Sequence, residues 1–125
     1  MDQKTVGIVG ASALRSKYGN KAVRAFRDAG WIVFPIHPTL KEVEGLKAYS
    51  SLDALPVTQL DRVSLYLPPQ VGIQVLDQVA RKRPCELWLN PGSESPELLQ
   101  RASELGLSVI QACSILGVGE FPGNY

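Results

Sequence analysis

Ser12, Arg15 and Lys17 stand in one short loop, with Gly10 and Ala11 before them and Tyr18, Gly19 and Asn20 after. A hydroxyl donor and two cations placed among glycines, directly after the apolar run TVGIV, suit a bound anion such as phosphate. Gly10 lets the backbone come close to a ligand, and Gly19 with Asn20 sits where the chain enters a helix. Glycines at strand ends also serve turns alone, and loop cations can be merely solvated. The spacing Gly7-x-x-Gly10 followed by Gly19 is not the dinucleotide fingerprint, whose third glycine comes three residues after the second, and it is not a P-loop.

A second place where chemistry gathers is FPIHPTLKE. A strand tip that binds NAD carries an Asp or Glu for the ribose hydroxyls. None stands at this tip, and Lys41 lies just beyond it. A cation there suits a ligand with an additional phosphate near its ribose, which means NADP or coenzyme A. His37, the sole histidine, next to Pro38, reads as a pocket-lining or loop side chain and not as a catalytic base. No Ser-His-Asp, Cys-His or metal-ligand set assembles from the spacing, so no catalytic residue is assigned. In YLPPQV, Leu67, Pro68 and Pro69 offer a rigid apolar shelf for an adenine ring or a pantetheine arm, or simply start a helix. In LNPGSES, Asn90, Pro91 and Gly92 form another glycine-bearing turn before a helix N-terminus.

These residues need a scaffold that brings several loops to one edge. Short β-branched runs alternate with longer amphipathic segments, the pattern of repeated β-α units and a mostly parallel sheet. The expected strands are TVGIVG, WIVFPI, DRVSLYL, CELWLN and LSVIQA. The stretch KEVEGLKAYSSLDALP reads as a loop with a short strand near Lys47 to Tyr49 and a helical turn opened by Ser51. A helix from Asn20 to Ala29 puts Ala22, Val23, Phe26 and Ala29 on its apolar face and Lys21, Arg24 and Arg27 on the other, with Gly30 at its end. Val71, Val75, Leu76 and Val79 define a second helix face. Ser95 as N-cap, Pro96 at the first position and Gly106 at the end bound a third helix. The last stretch, CSILGVGEFPGNY, is too glycine-rich to read as a helix, and its final GVGEFPGNY reads as an ordered edge, a dimer contact or a mobile tail.

A chain of 125 residues with 45% hydrophobic and 20% charged residues fits one folded domain, residues 1–125. A net charge of +1 disfavours non-specific binding to nucleic acid or anionic lipid. No run is long enough for a membrane span or a signal peptide, so a cytoplasmic location is expected. Cys85 and Cys113 lack zinc-site spacing and are expected as reduced thiols.

Taken in order, VGIVGAS, KYGNKAVRAFRDAGWIVFPIHP, YLPPQ and LWLNPGSESPELLQRASELGLSVIQACS resemble the CoA-binding domain family. These are small Rossmann-like proteins related to the N-terminal domain of the succinyl-CoA ligase alpha subunit. The resemblance implies a doubly wound, mostly parallel five-stranded sheet in a three-layer α/β/α fold, with coenzyme A held across the carboxyl ends of the strands. It implies that Ser12 through Lys17 embrace the CoA phosphates and that Lys41 contacts CoA. It also implies that Tyr66 to Pro69 line the nucleotide and that Leu89 to Ser93 occupy the loop after the fourth strand. Two departures stand out. The ligase's second domain, with its phosphorylated histidine, has no counterpart here, so ligase activity is not expected. QACS has Gln111 and Ala112 where many stand-alone members carry an Asp-Arg pair.

Cys113, just after the last strand, either exchanges disulfides with the coenzyme's thiol end or serves as a small buried apolar side chain. Cys85, entering a core strand, is expected to be structural. The expected function is a stand-alone CoA or acyl-CoA binding protein, acting as carrier, sensor or regulator without chemistry of its own. The alternatives are an NADP-binding oxidoreductase, a subunit of a split acyl-CoA synthetase, or a redox switch through Cys113. A homodimer or another protein partner is left open.

Overall fold

After Thr5 the run TVGIV has no polar position to turn toward solvent, which suits a strand covered on both faces. In the computed structural model, which describes residues 3–125, it forms β1 (Thr5–Val9), an inner strand of a five-stranded sheet. The other strands are β2 (Ile32–Ile36), β5 (Arg62–Leu65), β6 (Glu86–Leu89) and β7 (Val109–Gln111). Their order is β2-β1-β5-β6-β7, and every neighbouring pair is parallel. Side chains alternate between the faces. Val6 and Ile8 pack with Ala22, Val23 and Phe26 of α1 (Tyr18–Asp28), while Val9, Val63 and Leu65 pack with Leu76, Val79 and Leu98 on the opposite side. The result is the expected three-layer, Rossmann-like α/β arrangement.

Pro35 is accommodated by edge position. The N–H of Ile32 and the carbonyl of Ile36 point toward β1, bonding Lys4 and Gly10, so the intervening Pro35 turns its missing donor outward. Beyond β2 the chain does not run as a plain loop. β3 (Glu42–Val43) and β4 (Leu46–Lys47) form an antiparallel hairpin through Glu44 and Gly45, both at positive φ, and Tyr49 makes a single bridge to Ile36. Ser51 precedes a 3-10 turn over Leu52–Ala54.

The helix after Pro68 is broken. α2 (Pro69–Gly72) passes through a 3-10 turn, Ile73–Val75, into α3 (Leu76–Arg81). Gly72 faces the sheet, where an added Cβ would sit 3.0 Å from Leu65 and 3.2 Å from Leu98. This rotates Val71 and Val75 off the core face expected for them: Val71 is exposed and Val75 half-buried. α4 (Pro96–Glu104) matches its expected caps, with the Ser95 hydroxyl accepting from the Leu98 N–H at 3.1 Å.

Three further expectations are corrected. Arg24 is buried and Ala29 exposed, because the arginine is drawn into contacts with the preceding loop. The glycine-rich end contains a short helix, α5 (Ser114–Gly117), seated where Gly117 meets the Trp88 indole so closely that a Cβ would collide with it. Tyr125 closes the segment onto α1, its hydroxyl 2.8 Å from Asp28 Oδ2 and 3.0 Å from Glu120 Oε1. Cys85 is exposed, since it precedes β6 at the amino edge of the sheet. Both cysteines are free. Among the described residues no helix is long and apolar enough to cross a membrane, and no cluster could hold a metal ion.

Candidate binding cleft

From β1 the chain steps outward to β2 and then returns past β1 to β5, so the loops after β1 and β5 diverge above the sheet. A crevice opens at such a switch point. Here it is a cleft of about 620 Å³ at the carboxyl ends of β2, β1 and β5, within the size range of small-molecule pockets.

Two glycines make the cleft possible. Gly10 has φ +92°, and a Cβ there would lie 2.6 Å from the Tyr66 carbonyl oxygen. At Gly19 a Cβ would strike the Gly10 carbonyl, so only glycine lets the start of α1 come down on the end of β1. The loop between them is held from beneath. Asn20, fully buried, donates its Nδ2 to the Ser12 carbonyl at 2.8 Å and to Glu44 Oε2 at 3.1 Å, while its Oδ1 accepts from Arg24 Nε at 2.7 Å. Arg24 Nη2 then donates to the Arg15 carbonyl at 2.7 Å. The Asn20 amide, reinforced by Arg15, Arg24 and Arg27 nearby, holds the Glu44 carboxyl below its ordinary pKa despite opposing burial.

The loop and the start of α1 present donors to the cleft. α1 has no side-chain cap and no acidic residue in its first turn, and the Tyr18 and Gly19 amides find no acceptor among the described residues. Ser12 Oγ accepts from the Leu14 N–H at 3.0 Å, which leaves its proton free to donate. His37 Nδ1 accepts from the Thr39 and Leu40 amides at 3.1 and 3.0 Å, so the proton of the neutral ring sits on Nε2. Lys17 adds a cation at the rim. Among the described residues no Asp or Glu borders the cleft. Ile36, Leu52, Leu67, Val71 and Val75 give the cleft apolar lining, with Ser50, Ser51 and Gln78 beside them.

Of the residues expected at a site, Gly10, Ala11, Ser12, Lys17, Tyr18 and Gly19 border this cleft, as do His37, Pro38 and Leu67. Arg15 does not: its guanidinium turns to Glu44, 3.3 Å away. Lys41 is exposed outside the wall, its carbonyl accepting from Ala48. Pro68 caps α2 and Pro69 is its first residue, and neither borders the cleft. Asn20 acts beneath the loop. Gly92 turns the chain toward α4 at φ +93°. Asn90, Pro91 and Cys113 belong to a second cavity of about 370 Å³ that shares Tyr18 and Tyr66 with the cleft.

Arg24 and Glu44 do not stand out in the sequence as parts of a site, whereas Tyr66, expected to line the nucleotide, borders the cleft. Arg24 stands four residues after Asn20, the spacing of helix neighbours, which was the one available signal. Tyr66 Oη is buried beside the Ser64 and Ser114 hydroxyls, with no well-aligned hydrogen-bond partner among the described residues, and burial pushes its pKa up, so it remains a donor.

Comparison with known proteins agrees with this architecture. A conserved hypothetical protein of Pyrococcus furiosus has a solved structure that superposes with TM-score 0.81 at 32% identity, covering 93% of this chain and 99% of that one. The uncharacterized Bacillus subtilis protein YneT is 27% identical over 107 residues, 86% of this chain and 78% of YneT. The ADP-forming acetate–CoA ligase of Methanocaldococcus jannaschii is 31% identical over 80 residues, which is 63% of this chain but only 11% of the ligase. Residues 4–119 match the family described as CoA binding domain. The chain therefore belongs to the CoA binding domain family.

Proposed function

We propose that this protein is a stand-alone, cytoplasmic CoA-binding module, a carrier, sensor or regulator without chemistry of its own. The observation that carries the reading is the cleft's division. The cleft gathers the free amides of α1, the Ser12 hydroxyl, His37 Nε2–H and Lys17 with no carboxylate among them, while Ile36, Leu52, Leu67, Val71 and Val75 supply apolar lining beside Ser50, Ser51 and Gln78. In this reading the donor side takes the phosphates and the apolar side takes the adenine or pantetheine part. Residues that contact the ligand in this reading are Gly10, Ser12, Lys17, Tyr18, Gly19, His37 and Leu67, with the Asn90–Gly92 turn at the rim and Lys41 outside the cleft wall. Two free thiols suit a reducing compartment.

Isothermal titration with CoA, NADPH and NADH tests the reading. Saturable binding of CoA with little response to either dinucleotide is expected. Absence of heat and of thermal shift at millimolar CoA overturns it, and preference for NADPH replaces it with the oxidoreductase reading. Similarity to the acetate–CoA ligase favours a second reading, one subunit of a split acyl-CoA synthetase. Co-purification of a partner that restores acyl-CoA synthesis would establish that role; a chain recovered alone would end it.

A further inference from the structure

One side-chain amide on the wall of the main cleft has its acceptor committed and its donors left over. Gln78 stands on α3, and its Oε1 accepts from the Asp53 N–H at 3.3 Å. That bond fixes which way the amide turns, because a backbone N–H needs the oxygen and not the nitrogen. The Nε2 hydrogens find no acceptor among the described residues, and Gln78 is only half-buried, so they stay open to the cleft. Ser50 and Ser51 border the cleft beside it, and neither hydroxyl has a partner among the described residues. α3 packs on the face of the sheet opposite to α1, so this group closes the cleft at the end away from the free amides of α1. Leu52, Val71 and Val75 line the space leading to it.

We infer that this end of the cleft reads the adenine base, with Gln78 Nε2 donating to N1 of the ring. The inference rests on the CoA reading of the cleft. In a wound β-α fold the ribose of a nucleotide belongs at the tip of the second strand. Here that tip is His37 and Pro38, and Tyr49 exchanges backbone bonds with Pro35 and His37 before the chain continues into Ser50 and Ser51. The base therefore extends from the tip along Leu52, Val71 and Val75, and its edge farthest from the sugar, N1 and N6, meets Gln78. A serine hydroxyl can accept from the N6 amine or donate to an oxygen in its place, so the serines tolerate either. Gln78 cannot, since its acceptor is taken: it suits a bare ring nitrogen and opposes an N–H. The residue thus selects adenine over hypoxanthine or guanine, whose N1 carries a hydrogen, and leaves the Tyr18 side of the cleft to the pantetheine arm.

The test is calorimetric titration of the intact protein with CoA, with its hypoxanthine analogue, and with 4′-phosphopantetheine, which has no base. The wild type is expected to bind CoA about 10-fold tighter than the hypoxanthine analogue. Gln78→Met, which keeps the length of the side chain but loses the amide, should bring CoA down to about the level of the analogue and leave 4′-phosphopantetheine within about twofold. Gln78→Glu keeps an acceptor for Asp53 and sets a second one where the donor was, so it should reverse the preference. Its charge weakens every phosphorylated ligand, and the ratio between the two CoA species is the quantity read. Loss of the Asp53 contact alone would lower Tm and leave that ratio at its wild-type value. Equal affinity of the wild type for CoA and its hypoxanthine analogue overturns the base-reading role while leaving CoA binding intact. So does a wild-type ratio in both variants, or a loss for 4′-phosphopantetheine in Gln78→Met as large as the loss for CoA. Failure of every CoA species to bind removes the CoA reading itself, and the inference with it.

Discussion

Replacing Asn20 by alanine should undo the loop without touching any group proposed to meet the ligand. The side chain makes three hydrogen bonds: to the Ser12 carbonyl, to Glu44 and from Arg24. A neutral bond contributes about 1 kcal/mol and one to a charged group about 1.5–3 kcal/mol. Glu44 is half-buried, so the Asn20–Glu44 bond falls at the low end of that range. Arg24 keeps its bond to the Arg15 carbonyl and its place over the Tyr125 ring, which limits the cost of the acceptor it loses. The expected net loss is about 3–4 kcal/mol, which for a chain of this length lowers Tm by about 12–16 °C.

Thermal melts followed by circular dichroism read this directly, and hydrogen exchange shows whether the loss is local to residues 10–20. A double-mutant cycle with Glu44→Gln separates the terms, since glutamine retains an acceptor for Asn20 and loses only the charge. Asn20→Asp should recover part of the stability, because it restores an acceptor for Arg24 but sets a second carboxylate against Glu44. A fall in Tm below about 4 °C for Asn20→Ala, with loop exchange unchanged, would refute the claim that this side chain holds the loop.

Gly10→Ala should cost at least about 2 kcal/mol, from the positive φ and the approach to the Tyr66 carbonyl, and a melt beside a CoA titration would show stability and binding lost together. Lys17→Ala should weaken CoA by about 1–2 kcal/mol, whereas Lys41→Ala, outside the cleft wall, should cost less than about 0.5 kcal/mol by the same titration. For Glu44 the folded-state pKa is lowered, so its contribution is present above the ordinary glutamate range and lost as pH falls through the folded value. Asp53, whose pKa Arg81 also lowers, contributes in the same acid window. The comparison is therefore the difference between wild type and Glu44→Gln melts, which should shrink from about pH 6 to about pH 3.

Elements whose local signals agree were legible in the sequence. Val6, Ile8 and Val9 mark a strand buried on two faces, and Ser95, Pro96 and Gly106 bound α4 closely. Legibility failed where tertiary contacts overrode local pattern. Gly72 decided the phase of the helix after Pro69, because its missing side chain fits under Leu65 and Leu98, and that swung Val71 and Val75 toward the cleft. Arg24 reads as a solvent-facing residue by periodicity alone. Its burial depends on carbonyl and amide acceptors in a loop that the helix itself positions. The Glu44–Gly45 turn lacks the Asn-Gly or Asp-Gly signature of a tight hairpin, so neither the hairpin nor its carboxylate beneath the loop could be anticipated. Gly117 packs against Trp88 across a gap in sequence that no local pattern spans.

The placement of charge bears on how the proposed site would hold an anion. Three cations, Arg15, Lys17 and Lys41, were expected around it, yet Arg15 pairs with Glu44 and Lys41 stands outside the wall. What remains at the cleft is Lys17 and the uncapped start of α1, which carries roughly half a positive charge spread over its free amides. The N-terminus of α4 cannot share the load, because Ser95 already occupies one of its donors. Attraction for phosphates must therefore come chiefly from oriented N–H groups and hydroxyls at contact distance. Mobile surface cations attract at long range and are screened, whereas fixed donors act only at contact. On this ground CoA affinity should decline only modestly with added salt, and less in Lys17→Ala than in the wild type. A steep salt dependence that survives in Lys17→Ala would mean that the anion is held by Arg15 or Lys41 after all, with the loop rearranged to release them.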